Sequence, residues 1–259
     1  MTALHTAATG LACVFVFISL AWVVQWRTQN AGIVDAVWSW SLGFLGLLYS
    51  FLGPAPLPQR ALLGVMALLW GVRLGTHLFL RNHGKPEDRR YKKFRDGWGE
   101  QANRNMYFFF HFQTLFAMLL SAAFLVAAYN TRVVAPALLV LAVLIWQVSV
   151  LGEAIADRQM ERFRADPANR GKVCRDGLWR WSRHPNYFFE CLHWLAYLPL
   201  VVGSSWWPAA LVSPLVMWFL LMKMSGIPIL EQHMSASKPG YAEYMRTTSA
   251  LIPWPPKQS

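Results

Sequence analysis

Long apolar runs separated by short polar intervals dominate this chain. At roughly 20 residues per hydrocarbon thickness, the pattern predicts seven membrane-crossing helices: Ala7–Trp26, Gly32–Leu52, Ala61–Leu80, Tyr107–Tyr129, Val133–Ala154, Pro185–Val202 and Trp206–Leu230. The intervals after the first, third and fifth runs share one side with the C-terminal tail. The opposite side holds only Arg60 and Arg132. Because cytoplasmic loops gather Lys and Arg, the pattern places the N-terminus outside and the basic loops and tail in the cytoplasm, as in a bacterial inner membrane. The predicted fold is all-α, one polytopic domain over residues 1–259 with cytoplasmic loops capping a cavity. The spans leave no room for a soluble domain, and no internal repeat is visible.

Composition agrees with this picture. The chain is 55% hydrophobic, with 14 Trp and 16 Phe, outside the range of an ordinary cytosolic domain. The first nine residues lack a basic n-region, so the first apolar run reads as a span and not as a cleaved signal peptide. Cys13, Cys174 and Cys191 are scattered, which predicts neither a metal site nor a disulfide framework. A net charge of +11 could serve nucleic acid, acidic headgroups or a polyanionic small molecule, and its placement decides among them. Eight of the 24 Lys and Arg lie in residues 81–104 and eight more in residues 158–183. Both segments adjoin membrane spans, which points to topology, membrane lipids and a small polyanion, with no nucleic-acid partner.

The richest stretch is Gly177-Leu178-Trp179-Arg180-Trp181-Ser182-Arg183-His184-Pro185-Asn186-Tyr187-Phe188-Phe189-Glu190. Pro185 suits the first turn of a helix, so Asn186 and Glu190 stand one turn apart on one face, with His193 further in. Lipid cannot satisfy such groups, so they face protein, water or a ligand. Other polar residues inside the spans are Asp35 and Trp38, three apart in the second, and Arg73 and His77, four apart in the third. His111, Gln113 and Lys223 read more simply as residues that snorkel or pair with neighbours. The fifth span is expected to continue as a helix to Arg164, setting Asp157, Glu161 and Arg164 on one stripe until Pro167 ends it. The interval from Asn82 to Trp98 mixes charges with aromatics, as an ordered loop would. The amphipathic tail from Leu230 to Pro255 fits a lid.

The run Gly177-Leu178-Trp179 to Arg183-His184-Pro185-Asn186-Tyr187, the Asp157…Arg164 helix and the closing Tyr244…Ala250-Leu251-Ile252-Pro253 resemble the C-terminal half of steroid 5-alpha-reductases. Asp35…Trp38, Trp70…Arg73 and Glu87-Asp88-Arg89-Arg90-Tyr91 resemble the bacterial membrane branch of that superfamily. The resemblance implies a seven-helix enzyme that uses NADPH to reduce the conjugated carbon–carbon double bond of a 3-oxo-4-ene steroid or similar enone drawn from the bilayer, acting as a monomer. It places Asn186, Tyr187 and Glu190 along the cofactor and Asp157 and Arg164 at its adenosine side. Lys172, Arg73, Glu231 and His233 complete the implied set.

Reduction of a conjugated ketone builds negative charge on its oxygen, and an oriented donor there is a large catalytic term. The steroid enzymes' Gln-Glu pair and their tyrosine before the third-helix arginine have no match here. Asp35 and Trp38 stand in the second helix and Trp70 precedes Arg73. Asp35, held protonated by burial, or His77 is the candidate donor. Isoprenylcysteine methyltransferases share an Arg-His-Pro-x-Tyr turn and a Glu-containing tail, so S-adenosylmethionine is the alternative cofactor. The absence of phosphates on that molecule, set against two basic segments, favours NADPH.

Overall fold

The computed structural model describes residues 1–224 and 226–257. The α-helices are α1 (Ala3–Thr28), α2 (Ile33–Leu52), α3 (Leu57–Asn82), α4 (Arg89–Trp98), α5 (Ala102–Leu120), α6 (Ala122–Tyr129), α7 (Pro136–Ala165), α8 (Pro185–Leu195), α9 (Trp207–Ala210), α10 (Val212–Phe219), α11 (Ile227–Ser237) and α12 (Tyr241–Thr247). A π-helical turn, Leu220–Met224, follows α10. Among the described residues the only β-pairing is an isolated bridge between Ser182 and Ser249.

Among the described residues six helical stretches are long and apolar enough to cross a membrane: Ala3–Thr28, Ile33–Leu52, Leu57–Asn82, Arg89–Tyr129, Pro136–Ala165 and Trp207–Ser237. By length and composition this is an integral membrane protein. The expected run 185–202 takes a different form. It builds the 11-residue α8 and then a 3₁₀ turn, Leu198–Val201, containing Pro199. Proline lacks the N–H that would continue an α-helix, and 11 residues rise only about 16 Å. The expected ordered loop after α3 contains a helix, α4, capped by Asp88, whose carboxylate accepts from Arg90 N at 2.9 Å.

The chain forms two compact units, Met1–Leu139 with Tyr197–Ser213 and Val140–Ala196 with Pro214–Ser259. In the N-terminal unit α2 and α3 form a tight hairpin. A Cβ on Gly71 would stand 2.7 Å from the Cα of Gly43, and one on Gly46 would stand 2.2 Å from the Cβ of Ala67. Small residues let the backbones approach closely, which drives helix association where lipid is as apolar as leucine. Helix α5 lies antiparallel to α1, with Trp22 Nε1 donating to Asn103 O at 3.0 Å and Ser19 Oγ 3.3 Å from His111 Nε2. At the other end Asn130 donates to Leu200 O and Val202 O, while Gln59 joins Arg132 O and Val134 N.

In the C-terminal unit α7 runs on past the apolar stretch to Ala165, as its sequence predicts. Phe189 of α8 lies against Gly152 of α7, where an added Cβ would be 2.4 Å from the ring. The segment before α8 is held to α7 as well. Trp179 Nε1 donates to Ala156 O at 3.0 Å, and Leu178 N donates to Gln159 Oε1 at 2.9 Å. Gly177 has φ +58, a left-handed backbone angle that favours glycine, and faces the Gln159 amide.

Candidate functional site

The turn Trp181–Pro185 is the organising piece of the C-terminal unit. Pro185 opens α8 with His184 as N-cap, since the residue before a proline is driven out of the α region. The tail runs beside this turn. Arg183 N donates to Ser249 O at 2.9 Å, Trp254 N to Trp181 O at 2.9 Å and Ser182 Oγ to Leu251 O at 2.8 Å. Tyr244 donates its hydroxyl to the carbonyls of Trp179 and Ser182. Burial pushes the Tyr244 phenol well above its usual range, and that of Tyr241 up to about 12. Both phenols therefore stay neutral, and Tyr244 is the one that donates.

Arg183 is buried and pairs with Glu231 of α11, Nε to Oε1 2.6 Å, while its Nη1 donates to Met245 O and Thr248 O. His184 Nε2 lies 3.1 Å from the same Glu231 oxygen, and its ring stacks on Tyr187 at 5.5 Å. Among the expected site residues, Glu231 and Tyr187 therefore meet at this turn. Asn186 and Asp157 also meet, Nδ2 to Oδ1 3.4 Å. Glu190, 6% exposed, accepts from Trp194 Nε1 at 3.1 Å within α8. Arg164, Lys172 and His233 stand at the exposed surface of the unit.

Beside the loop after α7 lies an open pocket of about 430 Å³ lined by Arg170, Gly171, Lys172, Val173, Arg175 and Pro239. Lys238 borders it, its Nζ donating to Lys172 O at 2.6 Å. Burial, with Arg164 close by, pushes the Lys238 ammonium below its usual range. Like charges are thus crowded together here. Arg175 also faces a second pocket of about 490 Å³ that includes Arg180, Glu243, Tyr244 and Lys257. Its own carboxylate partner is Glu243 at 3.1 Å.

Asp35, Trp38, Arg73 and His77 belong to the N-terminal unit. At the start of α2, Asp35 Oδ1 accepts from the buried Tyr91 hydroxyl at 2.5 Å and Oδ2 from Arg90 Nη2 at 3.3 Å. Asp35 is therefore an acceptor in this arrangement. Arg73 and His77 lie half-buried one turn apart on α3. Arg95 forms a fork with Glu87 at 2.9 and 3.0 Å and also donates to Gln25 and Gln29. Burial would raise the Asp88 carboxyl, but hydrogen bonds and charge from Arg90 hold it below its usual range.

Sequence reasoning did not select Arg183, His184, Arg170, Arg175 or Tyr91 as site residues. For the first two a signal existed in the Arg-His-Pro turn itself. Their partner Glu231 is 47 or 48 positions away, a separation that no periodicity encodes. Among the described residues there is no group of His, Cys, Asp and Glu suited to a metal ion.

Comparison with known proteins adds a family. The family described as "Protein of unknown function (DUF1295)" matches residues 21–248. The uncharacterized protein C594.04c of Schizosaccharomyces pombe is 28% identical over 278 residues, covering 94% of this chain and 78% of that protein. No solved structure matches the chain.

Proposed function

This chain belongs to the DUF1295 family, and on that footing we propose that it is an NADPH-dependent membrane reductase of the steroid 5-alpha-reductase type. Its substrate would be a lipophilic 3-oxo-4-ene steroid or similar enone taken from the bilayer. The observation that carries this reading is the pocket lined by Arg170, Lys172 and Arg175, where like charges gather and, among the described residues, only Arg175 of the three has a carboxylate partner. Phosphate groups suit such a rim, by fork geometry with arginine and as a point charge with lysine.

The donor set fits the cofactor. NADPH, when bound, supplies a hydride. Arg170, Lys172 and Arg175 hold phosphate charge. Asn186, steadied by Asp157, keeps its Oδ1 available to a ligand donor. The tail that clamps Trp181–Arg183 fixes the start of α8 and so the direction of Asn186 and Glu190. In the proposed topology the short α8 is the seventh inserted helix, the N-terminus is outside, and the basic loops face the cytoplasm of a bacterial inner membrane.

A second reading has its own observation. The Arg183-His184-Pro185 turn and Glu231 are joined directly, and these are the features shared with isoprenylcysteine methyltransferases. An S-adenosylmethionine enzyme would use the same corner, but the cationic rim would then have no phosphate to hold.

The test is turnover of the purified protein with a panel of steroid and isoprenoid enones, followed by loss of NADPH absorbance. Enone-dependent oxidation is expected, and Asn186→Ala should abolish it while leaving the melting temperature within a degree or so. Turnover retained in that variant removes Asn186 from the site. Absence of oxidation with every enone rejects the reductase reading.

A further inference from the structure

The pocket of about 490 Å³ beside the tail meets the cationic rim assigned to the cofactor only at Arg175. Arg175 is already engaged, with the Glu243 carboxylate at 3.1 Å and the Tyr244 ring at 5.5 Å. The other charged residues that line the pocket are Asp176, Arg180 and Lys257, all exposed. Among the described residues none of these three has an ion-pair partner. The pocket therefore offers two uncommitted cations and one uncommitted carboxylate. Its walls are fixed by main-chain bonds, Lys257 N to Thr247 O at 2.8 Å and Trp254 N to Trp181 O at 2.9 Å.

The level of this pocket in a membrane follows from α7. Residues 136–152 carry no charged side chain, whereas Asp157, Arg158, Glu161, Arg162 and Arg164 follow soon after. Just before Arg180, Leu178 and Trp179 bind α7 at Gln159 and Ala156, at the boundary between the two stretches. Because α7 has the length and composition to cross a membrane, that boundary is the level of the lipid headgroups. Trp181, Ile252 and Trp254 stand exposed beside the pocket, Ile252 by 63% and Trp254 by 69%, although none of them belongs to a helix of membrane length. Indole rings favour the headgroup level, where an apolar body and a polar N–H each find a suitable side.

The uncommitted charges describe the ligand. A phosphate suits Arg180 and Lys257, and an ammonium with N–H donors suits Asp176. An anionic headgroup that lacks a cation would leave Asp176 facing like charge, and a choline brings no N–H donor. We propose that this pocket binds the phosphoethanolamine headgroup of a membrane phospholipid, its phosphate on Arg180 and Lys257, its ammonium on Asp176 and its glycerol end against Trp181, Ile252 and Trp254. A lipid seated there joins the turn at Trp181 to the tail that clamps it through Ser182 and Leu251. The site stands apart from the reductase reading, in which Asp176, Arg180 and Lys257 take no part.

The experiment uses the full-length protein, delipidated in neutral detergent and without NADPH. It is titrated with dihexanoyl phosphatidylethanolamine, phosphatidylcholine and phosphatidylglycerol and with free phosphoethanolamine, and the bound species are read by native mass spectrometry. Phosphatidylethanolamine is expected to bind most tightly, with the other two lipids about threefold or more weaker, the scale of an ion pair open to water. Free phosphoethanolamine should bind more weakly than its lipid, because it buries nothing against the indoles. The paired variant Arg180→Gln with Lys257→Gln should keep its melting temperature, both side chains being exposed, and should lose affinity for phosphatidylethanolamine about tenfold or more, as expected for lost hydrogen bonds between charged groups. Asp176 makes no capping bond with its side chain, so Asp176→Asn leaves the fold intact and should erase the preference for phosphatidylethanolamine over phosphatidylglycerol. If the paired variant unfolds, that single variant decides. Phosphatidylglycerol or phosphatidylcholine binding as tightly as phosphatidylethanolamine, free phosphoethanolamine binding as tightly as the lipid, unchanged affinity in a folded paired variant, or a preference that survives Asp176→Asn would each overturn the proposal.

Discussion

The two basic segments carry eight Lys and Arg each, yet they meet different surroundings. In residues 81–104 the arginines that turn inward find acids. Arg95 forks onto Glu87 with side chains only 16% and 9% exposed, and Arg90 joins Asp35 and Asp88. In residues 158–183 Arg183 and Arg175 also find carboxylates, Glu231 and Glu243, but Arg170 and Lys172 line an open pocket, and Lys238 is pushed down beside Arg164. The lesson concerns what cationic sequence can mean. The first segment uses its charge to fasten α4 to the end of α1 and the start of α2, and the second leaves Arg170 and Lys172 at the rim of an open pocket.

The sharpest way to break this comparison is to remove one side of the Glu87–Arg95 fork. Arg95→Ala leaves Glu87 with only the Ala31 N–H and removes the donor to Gln25 and Gln29, and a buried pair broken on one side costs about 3–5 kcal/mol. Thermal unfolding in detergent should show that loss. A change under about 1 kcal/mol would mean that the fork is ornamental and the two segments are alike.

A smaller stability effect with a larger binding effect is expected from Arg170→Gln combined with Arg175→Gln. The Arg175–Glu243 pair is 41% and 44% exposed, so its loss costs at most about 1 kcal/mol. NADPH affinity, read by titration of tryptophan fluorescence, should fall about tenfold or more, as expected for lost hydrogen bonds to charged groups. Undiminished affinity would move the phosphates away from this rim.

The smallest effect is acid sensitivity at Asp88. Its folded-state pKa is depressed, so its contribution is present above the unfolded value of about 4 and is lost as pH falls through the lower folded value. Between pH 5 and pH 3 the melting temperature should drop less in Asp88→Asn than in the parent protein. Parallel curves would show that the Arg90 contact contributes nothing to the pH dependence.

Much of this architecture is written locally in the chain. The start of α8 follows from Pro185, and the run of α7 to Ala165 follows from the continuing helical stripe through Asp157, Glu161 and Arg164. The six membrane-length helices follow from apolar runs. What was not legible depends on long-range pairing. Nothing around Arg90 or Arg95 signals that Asp35 and Gln25 wait 55 and 70 positions away, so neither pairing is readable from the sequence. The same holds for Arg183, whose partner Glu231 sits on α11. The shortness of α8 was hidden because Pro199 interrupts a stretch whose composition alone is apolar enough to span.

The reductase proposal turns on which cofactor the cationic rim accepts. Purified protein, titrated separately with NADPH and with S-adenosylmethionine, should melt higher with NADPH, by about 2.7 kcal/mol of added stability at a hundred times the dissociation constant, and should not respond to S-adenosylmethionine. A rise with S-adenosylmethionine and none with NADPH would contradict the account and install the methyltransferase reading in its place.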